Sequence, residues 1–105
     1  MELLFKESFA RDLKAIKQKS ILPRIRQVLE AVANAEDLRT IPNIRKLNAP
    51  GNYYRIRVGE YRLGISVEEN QVNFIRCLDR RDIYDTFREH HDPVGDSTSG
   101  DRGPA

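Results

Sequence analysis

The feature that most constrains the fold is the stretch from Asn52 to Ile65, in which apolar and polar side chains alternate on both sides of a Gly59-Glu60 step. Strict alternation is the pattern of a β-strand with one buried face, and two residues that include glycine can reverse the chain. The stretch therefore predicts a β-hairpin. Its predicted apolar face carries Tyr54, Ile56, Val58, Tyr61, Leu63 and Ile65.

The opposite face of this hairpin carries three arginines, Arg55, Arg57 and Arg62. Outward arginines serve solubility in many hairpins, and positive charge also protects sheet edges from aggregation. A turn at Gly59-Glu60, however, places Arg62 near Arg57, where like charges repel unless an anion neutralises them. A phosphate backbone is a suitable anion. Gly64, beside Arg62, is expected to leave the backbone accessible on that face.

Length and composition limit what else the chain can be. A chain of 105 residues, 39% hydrophobic and 32% charged, is expected to form one soluble globular domain. The sequence has neither the ~18 apolar residues of a membrane span nor a basic, cleavable leader, so we expect a cytoplasmic protein without membrane contact. Charge is uneven: residues 39–62 contain six basic side chains and one acidic side chain, as expected for a protein that meets a polyanion.

The segments around the hairpin predict one strand and two helices before it. Residues 2–6 form a short apolar run typical of a strand, and Ser8 is a plausible helix N-cap. Apolar residues at helical spacing then predict two consecutive helices, the second beginning near Pro23. Residues 34–50 show no sustained period and are interpreted as a connecting segment.

After the hairpin, residues 71–78 predict a third strand with apolar residues on both faces, in which Cys77 is expected to be a small core residue. Ile83 and Phe87 predict a short terminal helix. The predicted fold class is α+β: an N-terminal strand, an αα-hairpin, a three-strand antiparallel meander forming one sheet, and a short C-terminal helix. We expect one domain over residues 1–91 and a disordered tail over residues 92–105.

Three segments together resemble the RelE/ParE toxin superfamily of bacterial toxin–antitoxin modules. They are Arg45-Lys46-Leu47, the hairpin from Tyr54 to Arg62, and the closing run from Asp79 to Tyr84. The resemblance covers about residues 2–90 and implies a RelE-like fold. RelE-like members are ribosome-dependent endoribonucleases that cut messenger RNA without a metal or cofactor, using the ribose 2′-hydroxyl as nucleophile.

The resemblance also implies roles for individual residues. The catalytic positions of the family match Arg55, Arg57, Arg62, Arg80 and Tyr84. Further RNA contacts are expected from Arg45, Lys46 and Arg81, and Arg81 could substitute for Arg80. The implied partners are a cognate antitoxin, the ribosome and messenger RNA, and the toxin–antitoxin complex is expected to bind operator DNA through the antitoxin.

One departure from the family leaves the general base open. Some active members have lysines on the first hairpin strand, where this chain has arginines, and arginine stays protonated and is a poor base. Tyr84 could take the proton if neighbouring arginines lower its pKa, or it could stack on a base of the message. Two other functions remain: a ParE-like inhibitor of DNA gyrase on the same fold, and a non-catalytic module that binds RNA or an antitoxin.

Overall fold

The computed structural model describes residues 1–80, and the predicted hairpin lies at the centre of its sheet. The elements, in chain order, are β1 (Glu2–Phe5), α1 (Glu7–Ala15), a 3₁₀ turn (Lys19–Ile21), α2 (Leu22–Asn34), a second 3₁₀ turn (Leu38–Thr40), β2 (Ile44–Lys46), β3 (Tyr53–Val58), β4 (Tyr61–Glu68) and β5 (Gln71–Asp79). The α+β class and the meander β3-β4-β5 are confirmed. The short C-terminal helix and the tail over residues 92–105 fall outside the described residues.

The sheet has five strands in the order β1-β5-β4-β3-β2, so the prediction of strand content was incomplete. β1 pairs parallel with β5, while the other pairs are antiparallel. The interpretation of residues 34–50 as a connecting segment was incomplete, because β2 and a 3₁₀ turn lie within it. β2 has three residues, too few to display an alternation, and it forms by pairing with the already extended β3.

The hydrophobic core lies between the two helices and one face of the sheet. Helix residues such as Phe9, Ile25 and Val32 pack in one cluster with strand residues such as Ile56 and Phe74. Cys77 belongs to the same cluster, as predicted, and burial raises the pKa of its thiol to about 12. Because strand side chains alternate, the residues between these core positions point to the other face of the sheet. No helix within residues 1–80 packs on that face.

Helix α1 begins one residue before the predicted N-cap. Lys6 occupies the N-cap position and makes no side-chain cap, while the hydroxyl of Ser8 donates to the carbonyl of Ile75 in β5. The prediction of Ser8 as N-cap was therefore wrong. β1 pairs only as far as Phe5 opposite Phe74, and the Ser8 contact supports β5 where this pairing ends. The Ser8 side chain therefore makes a tertiary contact with β5 instead of capping α1.

Candidate active site

The centre of the candidate site is the pair Arg57 and Arg62, which lie directly opposite each other in β3 and β4. The backbone N–H of Arg57 donates to Asn43 on the β2 side at 3.0 Å, so the two arginines form a non-hydrogen-bonded pair, the kind in which side chains come closer. Both guanidinium groups are held. Arg57 Nη2 donates to Asn43 Oδ1 at 3.0 Å, and Arg62 Nη1 donates to the carbonyls of Gly59 at 2.9 Å and Tyr61 at 3.0 Å.

The charge around Arg62 is predominantly positive. Burial lowers the pKa of Arg62 below its usual value, and repulsion from Arg55 and then Arg57 lowers it further. Glu60 opposes this shift, and Arg80 adds to it. Arg55, Arg57 and Arg80 are therefore all near enough to Arg62 for their charges to act on it. An anion placed among them would relieve a repulsion that the folded chain otherwise retains.

Arg80 joins the site at the hairpin turn through Glu60. Its backbone N–H donates to the carbonyl of Glu60 at 2.9 Å, and its Nε lies 3.2 Å from Glu60 Oε1. Both side chains are more than half exposed, and exposed ion pairs contribute little because water screens them. An incoming phosphate can therefore replace Glu60 as the partner of Arg80 at small cost.

A second row of side chains extends the site towards β2. Arg45 lies opposite Arg55 in the β2-β3 pair, so both point to the face that lacks helices. We call this surface, with Arg45, Arg55, Arg57 and Arg62, the arginine face. Lys46, predicted to act beside Arg45, points to the opposite face. Its Nζ lies 5.8 Å from the centroid of the Tyr54 ring and donates to the carbonyl of Gly51 at 2.8 Å.

The arginine face also has an apolar part. Leu47 is buried there against the partly buried side chains of Tyr53, Ile75 and Leu78. Gly64 lies between Arg55 and Arg76 in register and is itself buried. The expectation that Gly64 leaves accessible backbone was therefore wrong.

Two of the predicted site residues, Arg81 and Tyr84, lie outside the described residues. The structure brings together Arg45, Arg55, Arg57, Arg62 and Arg80, and it separates Lys46 from them. Sequence reasoning missed Asn43, which holds Arg57 by both backbone and side chain. The positive φ of Asn43, 63°, is a conformation that asparagine adopts more readily than most residues. Asn43 immediately precedes the unpredicted strand β2, which explains why it was missed.

No group of three or more His, Cys, Asp and Glu side chains within residues 1–80 is arranged to hold a metal ion. Across the same residues, no helix combines the length and apolar character needed to cross a membrane.

Comparison with known proteins identifies the family. The profile of the family described as "ParE toxin of type II toxin-antitoxin system, parDE" matches residues 3–84. The chain is 41% identical over 88 residues to Toxin RelE3 of Methanocaldococcus jannaschii, an alignment that covers 83% of this chain and 99% of that protein.

Solved structures agree with this sequence relationship. The crystal structure of the RelB-RelE antitoxin–toxin complex from Methanococcus jannaschii matches with a TM-score of 0.68 and 40% identity, over 80% of this chain and 98% of the matched one. The archaeal RelE-RelB complex from Pyrococcus horikoshii shares the fold, with a TM-score of 0.61 and 18% identity over 75% of this chain and 93% of the matched one. The chain belongs to the RelE/ParE superfamily of type II toxin–antitoxin toxins.

Proposed function

We propose that this toxin is a ribosome-dependent endoribonuclease that cleaves messenger RNA and so inhibits translation. The observation that carries the proposal is the cluster that Arg62 forms with Arg57, which lies directly opposite it in the sheet, and with Arg55 and Arg80; the positive charges of these three neighbours lower the pKa of Arg62. Such a cluster suits a reaction in which negative charge develops on a phosphate.

The proposed reaction is an internal transfer within the RNA. The ribose 2′-hydroxyl loses its proton and attacks the adjacent phosphorus, the bond from phosphorus to the 5′-oxygen breaks, and that oxygen takes up a proton. The products are a 2′,3′-cyclic phosphate and a 5′-hydroxyl. In this scheme Arg57 and Arg62 bind the non-bridging oxygens, since a guanidinium forms two parallel hydrogen bonds with a phosphate. Arg55 and Arg80 stabilise the charge that builds on the phosphorane, and Arg45 extends the surface for a neighbouring phosphate.

The general base is assigned to Tyr84. Arginine does not accept a proton at accessible pH, so Arg55 and Arg57 cannot take this role. Tyr84 can take the role if neighbouring arginines lower the pKa of its phenol. Arg81 is the second candidate, after Arg80, for the C-terminal phosphate contact.

The proposed partners follow from the proposed reaction and from the complexes that the relatives form. RelE proteins of two archaea were solved with RelB antitoxins, and we propose that a cognate antitoxin holds this chain inactive. We propose that the antitoxin also takes the complex to operator DNA. Messenger RNA on the ribosome is the substrate, so the cytoplasm is the proposed location. Residues 1–91 are the proposed toxin domain, and residues 92–105 are a proposed tail.

The test is to express the chain in growing cells and to map the 5′ ends of messages, with and without a block to translation initiation. Codon-phased cuts with 5′-hydroxyl ends that disappear when initiation is blocked would support the proposal. The matched control is Arg57→Ala, which removes one guanidinium from an exposed position. Equal cutting by this variant, or cuts that persist without ribosomes, would refute the assignment.

Inhibition of DNA gyrase is the second candidate, because the matching family profile bears the ParE description. Gyrase inhibition does not require arginines from two strands and the following segment to converge, which is why we place it second. A supercoiling assay with purified gyrase separates the two. Inhibition of supercoiling by the wild-type chain, without message cleavage, would select the ParE-like function.

A further inference from the structure

A groove beside the arginine face is unused by the proposed reaction. It has a volume of about 280 Å³ and lies between α2, the segment before β2 and the end of β3. Its floor is apolar and includes Val28, Ala31, Ile41 and Val58. Small-molecule sites begin at about 300 Å³, so this groove suits one or two side chains of a bound peptide better than a cofactor.

The rim of the groove is cationic and polar. It carries the guanidinium groups of Arg24 and Arg57 with the amides of Gln27 and Asn43, and no acidic residue of the described chain lines it. Arg24 lies against the hairpin turn, since a Cβ added to Gly59 would come within 3.2 Å of Arg24 Nη1. An occupant with carboxylates beside an apolar side chain matches both the rim and the floor.

Arg57 connects this groove with the arginine face. It lines the groove, and it also stands opposite Arg62 in the sheet. A carboxylate bound at the groove would therefore meet Arg57, a residue that the proposed reaction also uses.

We propose that the groove is a docking site for an antitoxin segment in which an apolar side chain is flanked by acidic residues. The inference rests on the proposal that this chain has a cognate antitoxin. A protein segment is favoured over RNA because the lining residues include no aromatic ring on which a base could stack. The apolar floor and the two arginines fit an acidic peptide better than a sugar-phosphate chain.

The experiment compares groove variants with matched controls on the same helix. The chain is co-expressed with its cognate antitoxin, the complex is separated in guanidinium chloride, and the refolded chain is titrated with the purified antitoxin. Ala31→Trp fills the groove, and Arg24→Glu reverses its charge. The controls are Ala33→Trp and Arg26→Glu, exposed positions of α2 outside the groove. Circular dichroism melts confirm that each variant is folded.

We expect the Kd for the antitoxin to rise ~10–100-fold in the two groove variants, the range of an interface hot spot, and to change less than ~3-fold in the controls. Equal Kd values in groove and control variants, or equal losses in all four, would overturn the proposal. So would an Arg24→Glu variant that binds the antitoxin normally but cleaves messages poorly, because the groove would then be an RNA surface. If the wild-type chain cleaves no message, the nuclease assignment fails, and the Kd comparison still decides the groove.

Discussion

The carboxylate of Asp12 is the polar group on which the docking of α1 against β5 depends most. Its Oδ2 accepts from Arg76 Nε at 2.7 Å and from the backbone N–H of Cys77 at 2.9 Å, and its Oδ1 accepts from Arg76 Nη2 at 3.2 Å. Beyond Phe5, β1 no longer pairs with β5. Asp12 therefore provides an acceptor for a backbone donor of β5 beyond the end of that pairing.

The size of the effect follows from the burial of the pair. The side chains of Arg76 and Asp12 are 25% and 14% exposed, so water can solvate only part of what a substitution leaves unpaired. Removing one partner of a fully buried pair costs about 3–5 kcal/mol, and we expect ~2–4 kcal/mol for Asp12→Ala in this partly buried setting. Asp12→Asn should cost less, ~1–2 kcal/mol, because the amide oxygen can still accept from Cys77.

The assay is urea unfolding at 25 °C, followed by circular dichroism, for Asp12→Ala, Arg76→Met and the double variant, with Asp12→Asn measured beside them. The double-mutant cycle isolates the pairwise coupling, for which we expect ~1–3 kcal/mol. In a domain of this size each kcal/mol lowers Tm by about 4–8 °C, so thermal melts provide an independent measurement. A coupling near zero, or an Asp12→Ala variant destabilised by less than ~1 kcal/mol, would refute the reasoning.

Three further predictions concern the site and the core. Arg62→Ala should lower single-turnover cleavage on programmed ribosomes by ~100–1,000-fold. The variant should also destabilise the hairpin slightly, because Arg62 no longer donates to the carbonyls of Gly59 and Tyr61. Unchanged cleavage by a variant with an altered melt would count against a catalytic role for Arg62. Tyr84→Phe should reduce cleavage by ~100-fold if Tyr84 takes the 2′-proton; near-wild-type rates, with ~1–3 kcal/mol of binding lost in Tyr84→Ala, would indicate stacking instead. The Cys77 thiol stays protonated in the folded chain up to about pH 12, whereas a thiol of ordinary pKa 9.0 ionises earlier on unfolding, so stability should fall as pH rises from 9 towards 12; a Cys77→Ala variant with the same pH dependence would contradict this.

The hairpin could be predicted because its sequence signal is both local and long. Arg57 and Arg62 fall opposite each other once the turn is fixed at Gly59-Glu60, and Gly59 has the positive φ, 59°, that the first position of such a two-residue turn requires. The core face and the arginine face then follow from the period of two. The helices were predicted for the same reason, from repeated apolar positions such as Phe9 and Ile25, both of which are buried.

What sequence reasoning missed depends on pairing at a distance. The three-residue strand β2 is extended because it pairs with β3. Three residues are too few to show an alternation of apolar and polar side chains in the sequence. Because β2 was not predicted, Lys46 was expected to act beside Arg45. The alternation of side chains in β2 places the two on opposite faces of the sheet. Ser8 was misassigned because its hydroxyl contacts β5, 67 residues away in sequence.

The same strands carry the arginine face on one side and the core on the other. The free energy of core packing is therefore largely independent of the charges on the arginine face. In β3, Ile56 and Val58 are buried while Arg55 and Arg57 face the other way, so a substitution on one face leaves the packing of the other largely intact. The like charges of Arg57 and Arg62 repel each other across the pair, and this repulsion opposes folding. A bound anion would add to the relief that Glu60 already gives Arg62, and by linkage it would stabilise the folded state more as its affinity rises. Under the proposed function, a phosphate of RNA and a carboxylate of an antitoxin would both supply such an anion. The two ligands would then compete for the same arginines, and an antitoxin that bound Arg57 from the groove would neutralise its charge without occupying the place of the scissile phosphate.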